Sequence, residues 1–217
     1  ATGAYYLSSH SFSKRAEFAS LFSKVKPLIS FLLAVLILKE SVSQYTAISA
    51  LLVMLGISLL FVGVKRGSLS GAGVSLGLLT ALLWSVGEVF MKLGIQTVHP
   101  IIATWIALVS GMIIFSFIAI PMMFKVLNHP KKIKILWPFC VHGGISFGIA
   151  YSLFFYSIDL IGLARSALIN AFWPILGVFF AATIRIYRGQ AVEIPRIFIL
   201  AAIFLLAGSL IQVVFEL

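Results

Sequence analysis

The sequence has very little charge. Asp, Glu, Lys and Arg make up only 10% of its 217 residues, whereas 61% are apolar, and the mean hydropathy is +1.14. Soluble globular domains carry about 25% charged residues, so this composition excludes one. A bilayer core requires about 20 apolar residues per helical span, and the length therefore accommodates roughly seven or eight spans and little else.

Acidic residues and cysteine are scarcer still. The sequence contains six Asp and Glu residues but sixteen Lys and Arg residues, which gives a net charge of +10. The basic residues collect in short loops between apolar runs, as membrane topology signals do, so we expect a lipid bilayer and not a nucleic acid as the partner. The one cysteine, Cys140, cannot form an intramolecular disulfide and lies in an apolar run, which predicts a packing role.

Motifs for enzyme chemistry are also lacking. The sequence contains no HExxH, GxSxG or CxxC motif and no glycine-rich phosphate loop. We therefore expect no metal, no cofactor and no catalytic residues.

Seven charge-poor runs are long enough to cross a bilayer. They cover residues 17–38, 46–64, 73–95, 100–124, 136–158, 164–184 and 195–215. A chain in lipid must satisfy its own backbone hydrogen bonds, and the ten-residue alternation of barrel strands is not visible. The sequence thus predicts an all-α integral membrane bundle whose consecutive helices are antiparallel.

A weak internal repeat links the first predicted span to the sixth. The segment from Pro27 to Ala34 resembles the one from Pro174 to Ala181, and Gly56 lies in the following apolar run as Gly208 does. Because the pattern moves by five spans, an odd number, the two copies enter the membrane from opposite sides. Inverted repeats of this type are common in secondary transporters.

These segments resemble the drug/metabolite transporter superfamily, specifically its EamA-like members with ten helices in two five-helix repeats. In the first copy, Pro27 is followed by LISFLLAVLILKE, which ends at Glu40, and by a helix with Gly56. In the second, GVSLGLLTALLWSVGEVFMKLG resembles the helix that opens the repeat, and ALINAFWPILGVFFAA resembles the later cavity helix. Tyr187 and Arg188 stand where the second copy of the family glutamate is expected.

The resemblance implies two inverted repeats of unequal completeness. Residues 1–66 would be the C-terminal part of the first EamA-like repeat, and residues 67–217 would be a complete second repeat. The start of the first repeat would then precede Ala1, which implies an N-terminally truncated fragment.

Ionisable residues inside the apolar runs are the main site candidates, because a charge in hydrocarbon costs several kcal/mol. Glu88 lies about 6 Å from the midplane at 1.5 Å per residue. Helical spacing places it on one stripe with Gly77, Ala81, Trp84, Ser85, Met91 and Lys92. Either this stripe lines a substrate pathway, with Glu88 accepting a proton or contacting a cation, or Glu88 and Lys92 form a neutralising i, i+4 pair.

Two lysines also fall within a span. The apolar stretch after Pro27 is too short to cross alone, so the span must include Lys24 and Lys26. They point in different directions, so at most one faces the same cavity as Ser20 and Ser23, and the other reaches the interface or pairs with an acid. They either attract an anionic substrate or lie at the wet mouth of a helix broken at Pro27.

Three further side chains are candidates for the pathway. Asn170 and Trp173 are suited to hydrogen bonding and stacking with a substrate, although Asn in a membrane helix also joins helices. His142 is expected to be a packed histidine in preference to a proton relay, beside glycines that predict close helix packing: Gly143, Gly144 and Gly148.

Counting basic residues by loop gives eleven on one side of the membrane and three on the other. The positive-inside rule puts the first set in the cytoplasm and the C-terminus outside, whereas the resemblance suggests cytoplasmic termini. Asp159 and Arg165 flank a short turn and are expected to be surface charges.

The predicted function is secondary transport of a small organic metabolite or drug-like compound, by alternating access, in the cytoplasmic membrane. Without an ATP-binding motif, coupling would be to a proton, an ion or exchange. The alternatives are a helical membrane scaffold that does not transport and, less favoured, an intramembrane enzyme.

Overall fold

The computed structural model describes residues 19–62, 71–130, 132–189 and 194–216, which are helical apart from short connections and contain no strand. The helices are α1 (Lys26–Leu36), α2 (Gln44–Val62), α3 (Gly71–Gly94), α4 (Pro100–Leu127), α5 (Lys132–Val141), α6 (Gly148–Ile161), α7 (Leu163–Ile169), α8 (Trp173–Tyr187) and α9 (Arg196–Phe215). A 3₁₀ turn, Ser23–Val25, leads into α1, and a second one, Asn170–Phe172, joins α7 to α8.

Seven helical stretches in the described residues are long and apolar enough to cross a membrane. They are Ala19–Leu36, Gln44–Val62, Gly71–Gly94, Pro100–Phe117, Gly143–Ile161, Leu163–Tyr187 and Arg196–Phe215. The predicted all-α, multi-span membrane fold is confirmed. A single residue, Gly162, separates α6 from α7, and its φ of 88° is the left-handed conformation that glycine adopts without strain.

The described residues form two compact units. One contains the helices up to Val89 and those from Leu163 onward, and the other contains Phe90–Gly162. The core of the first unit lies among α2, α7 and α9 and includes Val53, Leu168 and Leu205, which are fully buried. This unit therefore combines segments from both predicted repeats.

Helices α2 and α9 pack closely and run antiparallel. A Cβ atom at Gly56 would lie 2.7 Å from Leu205 Cγ, and one at Gly208 would lie 3.0 Å from the carbonyl oxygen of Ser49. The Ser49 hydroxyl donates to the Gly208 carbonyl at 2.7 Å. Small residues at such contacts allow the close helix approach that drives association in lipid.

Helix α1 and the α7–α8 segment also run in opposite directions. At one end of α1, the Glu40 carboxylate accepts the backbone N–H groups of Leu163 and Ala164, both at 2.8 Å. At the other end, Lys24 lies against Trp173. Glu40 thus caps α7, where a negative charge also complements the helix dipole.

The C-terminal end of α9 is tied to two other helices. Glu216 forms an ion pair with Arg165 at 2.8 Å and accepts a hydrogen bond from Ser43. The Ser43 hydroxyl in turn accepts the N–H of Thr46 and caps α2. Arg165 is therefore paired and only part-exposed, so the expectation that it is a simple surface charge is wrong.

In the second unit, α4 packs on α6, and a π-helical segment, His142–Phe147, precedes α6. The predicted close packing at its glycines is wrong, because a Cβ at Gly143, Gly144 or Gly148 would meet no described atom within 4 Å. Gly143 and Gly144 lie in the π-helical segment, and Gly148 is the first residue of α6.

Candidate functional site

A buried ion pair joins α1 to α3 inside the membrane-spanning part of the first unit. The Nζ atom of Lys26 lies 2.5 Å from Oε1 of Glu88, and the side chains are 21% and 5% exposed. Removing one member of such a pair leaves an uncompensated buried charge, at a cost of about 3–5 kcal/mol. The pair is therefore a strong constraint on the α1–α3 contact.

Two serines complete the environment of this carboxylate. Ser30, one turn after Lys26, donates to Glu88 Oε2 at 2.5 Å, and its hydroxyl lies 2.9 Å from that of Ser85. Ser85 also donates to the Lys26 carbonyl oxygen at 3.2 Å. Ser30, Ser85 and Glu88 are all buried. Both carboxylate oxygens of Glu88 have a partner within the protein, since Oε1 pairs with Lys26 and Oε2 accepts from Ser30.

A close contact near the start of α3 determines how closely this helix approaches the segment that contains Lys26. A Cβ atom at Gly77 would lie 2.6 Å from the Ala19 carbonyl oxygen and 2.7 Å from Phe22 Cβ. The two segments then continue in parallel, which brings Lys26 level with Ser85 and Glu88. The buried face of α3 thus includes most of the predicted stripe, but Trp84 is 43% exposed at its edge.

The two lysines at the start of the first span, Lys24 and Lys26, each lie near a tryptophan. The ammonium of Lys24 lies 3.9 Å from the ring centroid of Trp173, and that of Lys26 lies 5.3 Å from the ring centroid of Trp84. Cation–π contacts contribute about 0.5–2 kcal/mol, which is less than the several kcal/mol required to hold a charge inside a membrane. Lys26 has Glu88 as a counter-charge, whereas no carboxylate in the described ranges pairs with Lys24.

Proline chemistry explains how the two lysines come to face different helices. Pro27 has no N–H to give to the Ser23 carbonyl, and the N–H of Lys26 bonds that carbonyl one residue earlier. The result is the 3₁₀ turn Ser23–Val25, in a helical run that continues to Leu36. The alternative of a helix broken at Pro27 is therefore wrong.

The same arrangement recurs before Pro174. There the N–H of Trp173 bonds the Asn170 carbonyl and closes the 3₁₀ turn Asn170–Phe172. Ser23 and Asn170, like Lys26 and Trp173, therefore hold equivalent places in the two 3₁₀ turns. The same backbone feature, a 3₁₀ turn that precedes a proline, thus positions the lysines on one side of the site and Trp173 on the other.

The predicted candidates are brought together only in part. Six of them lie together around the start of α1: Lys24, Lys26, Trp84, Ser85, Glu88 and Trp173. The Asn170 side chain is part-exposed and forms no hydrogen bond with a described residue. The side chain of His142 lies outside the described residues, which give only its backbone position at the start of the π segment.

Lys92 has a different partner from the one considered in the sequence. Its ammonium donates to the Ile158 carbonyl at 2.9 Å within the second unit, at the C-terminal end of α6, where a cation complements the helix dipole. The i, i+4 pair of Glu88 with Lys92 is not formed. Lys26 takes that place.

Sequence reasoning missed Ser30 and the capping role of Glu40. Ser30 follows Lys26 by one helical turn, a spacing that places both on one face, and this was the available signal. No signal pointed from Glu40 to α7, because the two are far apart in the chain. No cluster of three or more metal-ligating side chains occurs in the parts of the chain that the structure describes.

The fold and the buried ion pair define a polytopic α-helical membrane protein with charged groups inside its spans. The chain belongs to the EamA-like transporter family, whose sequence model matches residues 71–214. This range begins with α3 and ends within α9. No curated protein matches the chain significantly.

Proposed function

We propose that the chain acts as a secondary transporter of small organic molecules in the cell membrane, with the surroundings of α1 as its substrate site. Membership in a transporter family supports transport. The observation that carries the proposal is the Lys26–Glu88 pair, because charged groups are kept inside membrane spans chiefly where substrates or ions pass.

The opposite directions of α1 and α7–α8 support a mechanism of alternating access. We take residues 1–66 and 67–217 as parts of two inverted repeats whose equivalent helices meet around the site. Rocking of one repeat against the other would expose the site to each side of the membrane in turn. Trp84, Trp173 and Asn170 then contact the substrate, with Ser85 positioned between them and the ion pair.

Glu88 is the proposed coupling residue. Protonation of its carboxyl removes the charge that holds Lys26, so a proton weakens the α1–α3 contact and frees an ammonium for the substrate. Lys92 and His142 remain secondary candidates for the substrate pathway. Coupling to another ion would act through the same carboxylate.

Flux through proteoliposomes tests the proposal. Vesicles with the purified chain are given an equimolar mixture of organic acids, amines, amino acids and sugars, and mass spectrometry follows each compound across the membrane. We expect selective flux that Glu88→Gln abolishes, Asn170→Ala reduces and Lys134→Gln, a change at an exposed lysine, leaves unaltered.

The same measurement separates the alternatives. No flux of any compound above that of empty vesicles would favour a scaffold, and a covalently altered compound would favour an enzyme. Unaltered flux in both the Glu88 and Asn170 variants would remove these residues from the site.

A further inference from the structure

The further inference concerns the charge of the substrate and rests on the proposed function. Three ionisable side chains surround the start of α1. Lys26 and Glu88 neutralise each other at 2.5 Å, which leaves the ammonium of Lys24 as the excess charge of the site.

None of the other described acids forms an ion pair with Lys24. Glu216 pairs with Arg165, and Glu40 binds backbone N–H groups of α7. Asp159 is exposed and belongs to the other unit. No carboxylate in the described ranges forms an ion pair with Lys24, and its ammonium lies against the indole of Trp173.

Lys24 also lies well inside a helical run that is long and apolar enough to cross a membrane. It is the sixth residue of the helical run Ala19–Leu36, about 5 Å from the centre of that run at 1.5 Å per residue. A lysine side chain reaches roughly 6 Å further, whereas the interface lies about 15 Å from the midplane. With the centre of this run at the midplane, the ammonium would lie inside the hydrocarbon core.

We propose that the substrate is a small organic monoanion, whose negative group binds Lys24 and whose apolar body lies against Trp173. The indole is 52% exposed while it contacts the ammonium, so it offers flat apolar surface beside the charge. One anionic group neutralises the site. A second would have to displace Glu88 from Lys26, so dianions bind more weakly.

Binding to the full chain in lipid nanodiscs tests this without requiring transport. The probes share one aromatic body and differ in charge: phenylacetate, phenylacetamide, phenethylamine and the dianion phenylmalonate. We expect phenylacetate to bind about tenfold more tightly than the amide, in keeping with a charge-assisted hydrogen bond. The amine and the dianion should bind more weakly than phenylacetate.

Three variants assign the preference to Lys24. Lys24→Gln should bring phenylacetate and the amide within about twofold of each other, Lys24→Arg should retain the preference, and Lys134→Gln should match the parent. Because Lys24→Gln removes a buried charge, its folding is checked by size-exclusion chromatography. If it aggregates, the test uses Lys24→Arg together with Trp173→Leu, and the latter should weaken the binding of all four aromatic probes about equally.

Several results would overturn the inference. These are equal binding of the probes, preference for the amine, no binding of phenylacetate, or a preference that survives Lys24→Gln. Glu17 lies outside the described residues, and an anion preference that emerges only after Glu17→Gln would also overturn it for the native chain. Cation flux without anion binding would reject this inference and support the proposed transport. Anion binding without flux would support this inference and reject transport.

Discussion

Gly56 and Gly208 lie on opposite sides of one helix contact, each turned toward the other's helix. A Cβ atom at Gly56 would lie 2.7 Å from Leu205 Cγ, and one at Gly208 would lie 2.9 Å from Val53 Cγ2. Both neighbours are fully buried and have little room to move. The repeated glycine thus has a packing function that the antiparallel arrangement of α2 and α9 makes reciprocal.

Alanine at Gly56 should therefore destabilise the fold. We expect a loss of about 1–3 kcal/mol in the free energy of unfolding, typical of overpacking, measured by SDS titration in mixed micelles. Gly177→Ala is the matched control, because a Cβ there meets nothing within 4 Å. Leu205→Ala should cost less in the Gly56→Ala background than in the parent, and equal costs would contradict the steric explanation.

The Lys26–Glu88 pair should show strong coupling in a double-mutant cycle. Lys26→Met and Glu88→Gln should each lower the free energy of unfolding by about 3 kcal/mol, because each leaves the other charge buried and unpaired. The double variant should lose much less than the sum, since it leaves neither charge behind. Additive losses would show that the two side chains do not stabilise each other.

Glu40 should protect the first amides of α7. Glu40→Ala removes the acceptor of the Leu163 and Ala164 N–H groups and should cost about 1–2 kcal/mol, as loss of a cap does. Amide hydrogen exchange at these two residues should accelerate, and Glu40→Gln should have a smaller effect because one oxygen remains. Asp159→Asn, at an exposed site, serves as the control, and unchanged exchange in Glu40→Ala would contradict the capping role.

The helices were predictable from the sequence, but the partners of their polar groups were not. Long apolar runs determine where spans lie, since every backbone group in lipid must be satisfied within the chain. Glu88 was identifiable as a buried charge from its place in such a run. Its pairing with Lys26 instead of Lys92 depends on Gly77, which sets the approach of α3 to Ala19 and Phe22, and that tertiary contact has no local signal.

The loop charges predict the orientation of the chain in the membrane. In a Cys140→Ser background, which has no other cysteine, Asn128→Cys lies in the most basic loop and should be cytoplasmic. An impermeant maleimide should label it only in permeabilised cells, whereas a cysteine added after Leu217 should be labelled in intact cells. The reverse pattern would establish cytoplasmic termini and contradict the charge rule here.

Replacing Pro27 should weaken substrate binding without lowering the stability of the fold. Pro27→Ala supplies an N–H that can bond the Ser23 carbonyl in place of the N–H of Lys26, and this allows Ser23–Val25 to become α-helical. Three residues that change from 3.0 to 3.6 per turn rotate the preceding segment by roughly 60°, which carries Lys24 away from Trp173. We expect phenylacetate binding to fall severalfold while the free energy of unfolding stays equal or rises, because alanine favours helix.

Pro100→Ala provides the control for that change. Pro100 is the first residue of α4, where a missing N–H breaks no helical bond, so neither binding nor stability should change appreciably. Pro174→Ala, at the equivalent turn, should weaken binding as Pro27→Ala does, because it moves Asn170 relative to Trp173. If Pro27→Ala left phenylacetate binding intact, the 3₁₀ turn would have no part in placing Lys24, and the equivalence of the two turns would be structural alone.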